Sequence, residues 1–241
     1  MSKPLLIACA GHTFSEISAR EGDFADWIST GLGNRLPILT VDMRQSPPLP
    51  QAASLAGVVV TGSQAMVSDR EPWSERLAHW LRTLVEQNIP VLGICYGHQL
   101  LAHAFGGDVG YHPDGIEIGT TAIHLTNEAA KDPLFKDTPS HFSAQEVHRQ
   151  SVLTLPKGAR WLARGEFEPH QAFRIGTCGW GVQFHPEFSA TAMRGYIEHM
   201  HDALLSQERD PQALTANVRA TPQASALLAR FADIAAENCH S

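Results

Sequence analysis

The stretch Val91-Leu92-Gly93-Ile94-Cys95-Tyr96-Gly97-His98-Gln99-Leu100-Leu101 decides the fold. Val91–Ile94 reads as a short buried strand, and a helix follows the second glycine. Between them stands Cys95, with a glycine two positions away on either side. Small residues at those positions are what a sharp strand-to-helix turn requires. Such a turn lifts the side chain at its apex clear of the sheet. It also sets the sulfur at a helix N-terminus, where partial positive charge favours thiolate. The backbone N–H of Tyr96 points to the same place and is a natural donor to an oxyanion. Taken alone, the glycine pattern is equally compatible with a buried structural cysteine in a tight turn.

Working outward, three more apolar runs precede this one: Leu5–Ala8, Pro37–Val41 and Val58–Thr61. Continuous runs of this kind suit a parallel sheet covered on both faces. A helix lies between the last two strands. Pro72 takes a first helical position, and Trp73, Leu77, Trp80, Leu81, Leu84 and Val85 fall on one stripe. Asn88 and Pro90 close it. Strands alternating with helices predict a doubly wound α/β fold. After Gly107 the character changes. Short strands are expected at Ile116, Ile118 and Ala122-Ile123, then at Ala159–Arg164, Ala172–Ile175 and Trp180–Phe184, as a mixed or antiparallel extension. The end is helical. Met193, Ile197, Met200 and Leu204 form one stripe, and a polar stretch from Ser206 to Ala213 interrupts it. Thr221 and Pro222 then start a last helix, with Leu227, Leu228, Phe231 and Ile234 on one face.

A second chemical segment is Trp180-Gly181-Val182-Gln183-Phe184-His185-Pro186-Glu187-Phe188. Pro186 biases His185 towards extended backbone, so His185 and Glu187 project to the same side. The carboxylate then holds one imidazole nitrogen and leaves the other for a nucleophile. That is the arrangement of nucleophile, base and orienting acid. On its own the segment also reads as a surface turn with an incidental histidine and glutamate.

Composition narrows the class. A chain of 241 residues is long enough for one domain with a substantial core and short for two. The formal net charge of −7, with no block of Lys and Arg, argues against nucleic acid. The first apolar run, Leu5 to Ala10, is too short to cross a membrane and precedes no cleavage site. The four cysteines, Cys9, Cys95, Cys178 and Cys239, match neither a zinc nor a disulfide spacing, so reduced thiols and a cytoplasmic location are expected. The 13 histidines are scattered and imply no metal cluster. His98 and His103 follow the turn and are expected to pack or face solvent. His199 and His201, two apart on a helix, share no face.

The segment Gly93 to Leu101, followed by Gly106-Gly107 and by Gln183-Phe184-His185-Pro186-Glu187 some ~90 residues on, closely resembles the class I glutamine amidotransferase family. Val58-Val59-Val60-Thr61-Gly62-Ser63-Gln64-Ala65-Met66-Val67-Ser68-Asp69 resembles the strand and loop that supply that family's second oxyanion donor. The resemblance runs from about residue 5 to 190. It implies a flavodoxin-like fold, with residues 1–205 as the amidotransferase domain and 206–241 as a helical extension packed on it. It also implies roles. Cys95 is the nucleophile, forming a γ-glutamyl thioester, His185 the base, and Glu187 its orienter. Gly62 and Tyr96 supply the oxyanion N–H groups, and Gln99 and His148 contact the substrate. No cofactor and no metal are implied. In relatives His148-Arg149-Gln150 often reads His-x-Asp, and here Gln150 replaces the acid. GMP synthases of the family join this domain to a synthetase, and no phosphate loop for one occurs here, so a separate synthetase subunit is one expectation. The rival expectation is a free-standing hydrolase of γ-glutamyl peptides or amides. A redox-sensing or binding protein on the same fold is a third, which the His-Pro-Glu segment disfavours.

Overall fold

A computed structural model describes residues 3–238 of the chain. The N-terminal half runs β1 (Leu5–Cys9), α1 (Ser15–Glu21), α2 (Phe24–Leu32), β2 (Ile38–Asp42), β3 (Gly57–Val60), α3 (Pro72–Glu86), β4 (Val91–Ile94) and α4 (Tyr96–Ala104). The middle is β-rich: β5 (Asp108–Tyr111), β6 (Glu117–Leu125), β7 (His141–His148), β8 (Gln150–Thr154), β9 (Arg160–Arg164), β10 (Ala172–Ile175) and β11 (Gly179–Val182). Four helices end the chain: α5 (Ala190–His199), α6 (His201–Leu205), α7 (Pro211–Asn217) and α8 (Pro222–Asn238).

Among the described residues, nine strands form one sheet in the order β2-β1-β3-β4-β11-β10-β9-β6-β7. β2, β1, β3, β4 and β11 are parallel. β10, β9, β6 and β7 add antiparallel strands at the far side. β5 and β8 pair separately. The period of two in a strand divides the core. In β1, Leu5, Ile7 and Cys9 enter the layer beneath α2 and α8, while Leu6 and Ala8 enter the layer beneath α3 and α4. A doubly wound sheet with both faces covered results, with the ends of β3, β4 and β11 opening on one edge.

The α3 stripe from Trp73 to Val85 is buried, and Pro72 sits in its first turn. The final helix starts at Pro222, and Leu227, Leu228 and Phe231 are buried on its inner face. Cys9 and Cys178 are buried free thiols, and burial pushes the Cys9 thiol up to about 11. Cys239 lies outside the described residues.

Three expectations are corrected. The strands expected separately at Ile118 and at Ala122-Ile123 are one long strand, β6, because Gly119 takes a positive φ of 119° without leaving the ladder. Met193, Ile197, Met200 and Leu204 do pack in one cluster, but on two helices rather than one. The Met200 backbone, at φ −93° and ψ 9°, ends α5 and starts α6. The polar interruption ends early, since Asp210 caps α7 through Gln212 and Ala213 and Pro211 supplies its first turn.

Candidate active site

The turn after β4 is held from both sides. The Cys95 N–H donates to Val182 O of β11 at 2.9 Å, and the Gln99 N–H returns to Cys95 O at 3.1 Å. Cys95 itself has φ 50° and ψ −99°, a backbone region that a side-chain-bearing residue adopts only under strain. The two glycines are steric requirements. A Cβ on Gly93 would lie 2.2 Å from Gly97 O, and one on Gly97 would lie 2.6 Å from Val60 O. Gly97→Ala is therefore expected to destabilise the fold by about 2 kcal/mol or more, several degrees in Tm. An unchanged melting midpoint would show that the turn has room to relax.

His185 reaches the same edge from beyond β11. Its N–H donates to Gln145 O at 2.8 Å, an isolated bridge that ties the segment to β7. The imidazole packs 4.1 Å from Phe188 and 6.1 Å from Phe24, ring centre to ring centre. Its Nδ1 lies 2.7 Å from Glu187 Oε1, and both side chains are buried. Among the described residues Nε2 has no nitrogen or oxygen partner, and Cys95 is close enough to act on the ring. Burial works to lower the His185 pKa, but the charges of Glu187 and Cys95 outweigh it and push it up to about 10. The Cys95 sulfur thus acts on His185 electrostatically, while Sγ itself sits 3.7 Å from Val147 O. Cys95 and the His185–Glu187 pair, far apart in sequence, come together.

The loop after β3 forms the facing side. Thr61 Oγ1 accepts the Ala10 N–H and donates to Gly62 O, and Ser63 Oγ donates to Ala10 O. Gly62 is pressed on the imidazole: a Cβ there would meet His185 Cε1 at 3.0 Å. Tyr96 begins α4 beside Cys95. Its ring turns inward, stacked on Trp73 and hydrogen-bonded to Ser74 Oγ, so only its backbone faces the site.

A cleft of about 350 Å³ opens over Cys95, within the range of small-molecule sites. Gln99 and His148 line it, as does Gln150. Their side chains are largely committed elsewhere. Gln99 Nε2 donates to Gln150 O at 2.6 Å and to Gln183 Oε1 at 3.0 Å. His148 Nδ1 donates to Gln150 O, and Nε2 lies 3.0 Å from Glu117 Oε2. Gln150 bonds Ser68 through both ends of its amide. An apolar wall completes the cleft, made by Phe14 and Ile116 with Tyr196, Met200 and Ala203 from the C-terminal helices.

Beneath the cleft, Glu117, Glu146 and His148 bring one ligand atom each within 4.8 Å of one another. The set has the donors for a divalent cation. A proton serves the same balance, because burial and the neighbouring Glu117 push Glu146 well above the usual carboxylate range. His98 is wholly buried against β11 and β10, and burial holds its pKa down to about 3, so it packs as neutral imidazole. His103 joins Glu75 and Arg70 at the surface. His199 is stacked on Phe14 and bonded to Glu16, and His201 to Asp202.

The glutamine amidotransferase class-I family model matches residues 32–201. The chain belongs to that family. It is 37% identical over 142 residues to a glutamine-hydrolysing GMP synthase of Porphyromonas gingivalis, covering 58% of this chain and 26% of that protein. It is 32% identical over 136 residues to a glutamine-hydrolysing GMP synthase subunit of Methanocaldococcus jannaschii, covering 56% and 66%. The chain thus spans about a quarter of the length of the whole GMP synthases it matches. Among solved structures, a glutamine amidotransferase from Thermotoga maritima superposes with a TM-score of 0.74 over 100% of both chains at 21% identity. Another, from Methylobacillus flagellatus, gives 0.72 over 100% of this chain and 95% of that one, at 26% identity. The flavodoxin-like α/β architecture is that of these structural neighbours. Among the described residues no helix is long and apolar enough to cross a membrane.

The family motifs point to Cys95, His185, Glu187, Gly62, Tyr96, Gln99 and His148, and the fold gathers all seven around or just behind one cleft. Sequence reasoning missed Arg149, Glu117 and Glu146, and the apolar wall. Glu117 and Glu146 sit opposite His148 and Gly119 in the β6–β7 ladder, and no local pattern pairs them.

Proposed function

We propose that this chain hydrolyses the γ-amide of glutamine or of a γ-glutamyl compound, with Cys95, His185 and Glu187 as its triad. The observation that carries this is the strained Cys95 at the head of α4, with a buried His185–Glu187 pair behind it. The raised His185 pKa suits the imidazole to hold the proton that the Cys95 sulfur gives up as it attacks. Sγ attacks the γ-carbonyl carbon, and the oxyanion takes the N–H groups of Gly62 and Tyr96. The C–N bond then breaks, and His185 gives its proton to the departing nitrogen. Water, deprotonated by His185, cleaves the thioester and restores the sulfur. Glutamate and an amine or ammonia are the products.

Three relatives bear the name of one subunit of a GMP synthase, which supports a separate synthetase chain as the consumer of ammonia. The chain's own α5 and α6 favour turnover without a partner, because they wall the cleft through Tyr196, His199, Met200 and Ala203. Glutamate release by the purified chain, from L-glutamine and from γ-glutamyl dipeptides, decides between them. Fast release from a dipeptide, with glutamine poor, supports the free-standing hydrolase. Slow release from glutamine alone, raised by a GMP synthase's synthetase chain, supports the ammonia-supplying role. No release under any of these conditions would sink the hydrolytic reading.

A further inference from the structure

We infer that the cleft selects its substrate by a carboxylate, held by Arg149, and does not require an α-ammonium group; this rests on the hydrolytic reading above. The acyl half of glutamine is a zwitterion, and a site can grip either of its charges. The residues that line the cleft speak to only one. Among the described residues lining it, none is aspartate or glutamate. An ammonium group there meets neutral oxygens alone, such as the Gln99 and Gln150 amides. Glu16, at the rim, is bonded to His199. Asp114 and Glu71 line adjoining cavities, which share Arg149 and Gln64 with the cleft, and not the cleft itself.

The cationic side of the cleft is different. His148 is buried, with both ring nitrogens engaged by Gln150 O and Glu117. His199 is engaged by Glu16. Arg149 is exposed, lines both the cleft and the cavity beside it, and forms no ion pair among the described residues. Its guanidinium is a planar fork of donors matched to a carboxylate. Its position is suitable too. Val147, whose carbonyl lies 3.7 Å from Sγ, is two residues away. Arg149 stands at the bend that joins β7 to β8, just past the end of β7 and on the lining of the cleft. Gln150, which also lines the cleft, is neutral, and its amide is spent on Ser68. The substrate class is therefore ω-amides of dicarboxylic acids, with the α-amino group optional. The apolar wall of Phe14, Ile116 and Met200 offers such a group no charge and tolerates its absence or acylation.

The test compares three amides: L-glutamine, glutaramate (which lacks the α-ammonium) and L-glutaminamide (which keeps it but has no free carboxylate). Cys95-dependent ammonia release is followed in the native protein and in Arg149→Ala and Arg149→Lys. The expected result is kcat/KM for glutaramate within about tenfold of glutamine, and for glutaminamide lower by about 100-fold, the scale of one lost charged contact. Arg149→Ala should raise KM for glutamine and glutaramate by about tenfold or more with little change in kcat, and Arg149→Lys should recover part of it. Glutaramate binding to the folded Cys95→Ala protein, by calorimetry, gives a readout without turnover and should be lost with Arg149. Glutaramate more than about 100-fold poorer than glutamine, or a KM indifferent to Arg149, overturns the inference while leaving the hydrolytic reading intact. If no amide is turned over yet glutaramate binds through Arg149, the hydrolytic reading fails and the carboxylate site stands.

Discussion

Cys95→Ala is expected to lower glutamate release by roughly 10⁴-fold or more, because without a nucleophile only oriented binding and the oxyanion donors remain. The protein should stay folded. The substitution keeps the Cβ and removes one sulfur that packs at the edge of the core beneath α2 and α8. It also keeps the strain, since φ of 50° and ψ of −99° are as unfavourable for alanine as for cysteine. That strain gives the experiment an internal control. Cys95→Gly should be as inactive as alanine yet melt at a higher temperature than it, because glycine adopts positive φ without a Cβ clash. A structural cysteine would leave activity in both variants. Residual turnover in folded Cys95→Ala protein at a tenth of the native rate would show that the nucleophile lies elsewhere.

What could be read in the sequence followed where chemistry or packing leaves a local pattern. The strand-turn-helix around Cys95 is local, because Gly93 and Gly97 answer to contacts within the turn or one strand away. The α3 stripe is local for the same reason. β7 is not. Gln145, Glu146 and His148 are buried polar residues on it, so the strand lacks the apolar alternation by which half-buried strands are recognised. α1 leaves no stripe because it buries only Ile17. α7 carries an Asp-Pro start much like the Thr-Pro start of α8, but offers little apolar face to support it. Arg149 illustrates a different limit. In sequence it is the inconspicuous middle of His148-Arg149-Gln150. Its significance comes from what its neighbours do, for His148 and Gln150 are spent on Glu117 and Ser68 and leave it the one uncommitted cation lining the cleft among the described residues. The wall that joins Phe14 to Tyr196 and Met200 spans most of the chain and has no signature at all.

Glu187→Gln is expected to cost roughly a thousandfold at neutral pH, less than the loss of Cys95, and to move the alkaline limb of the pH profile downward. Two opposed effects meet at His185. Burial drives its pKa down, while the charges of Glu187 and Cys95 drive it up, to about 10 against an ordinary 6.5. A raised folded-state value means that the imidazolium form is stabilised in the native protein. Its contribution to stability is complete below about 6.5 and is lost as pH rises through about 10. The same proton is the one delivered to the leaving nitrogen, so kcat/KM should hold through the neutral range and fall as pH approaches that value. Glutamine at position 187 is nearly the same size and can still accept from Nδ1–H through its carbonyl. It removes one of the two charges that oppose burial. The His185 pKa then falls, the loss of activity begins at lower pH, and the alkaline loss of stability moves with it. Rate profiles and melting curves of native and Glu187→Gln proteins between about pH 6 and 11 measure both. A limb that stays in place, in a folded variant, would mean that the carboxylate fixes the ring's orientation without setting its charge. A loss as complete as that of Cys95→Ala would mean that orientation of the imidazole is as indispensable as the sulfur itself.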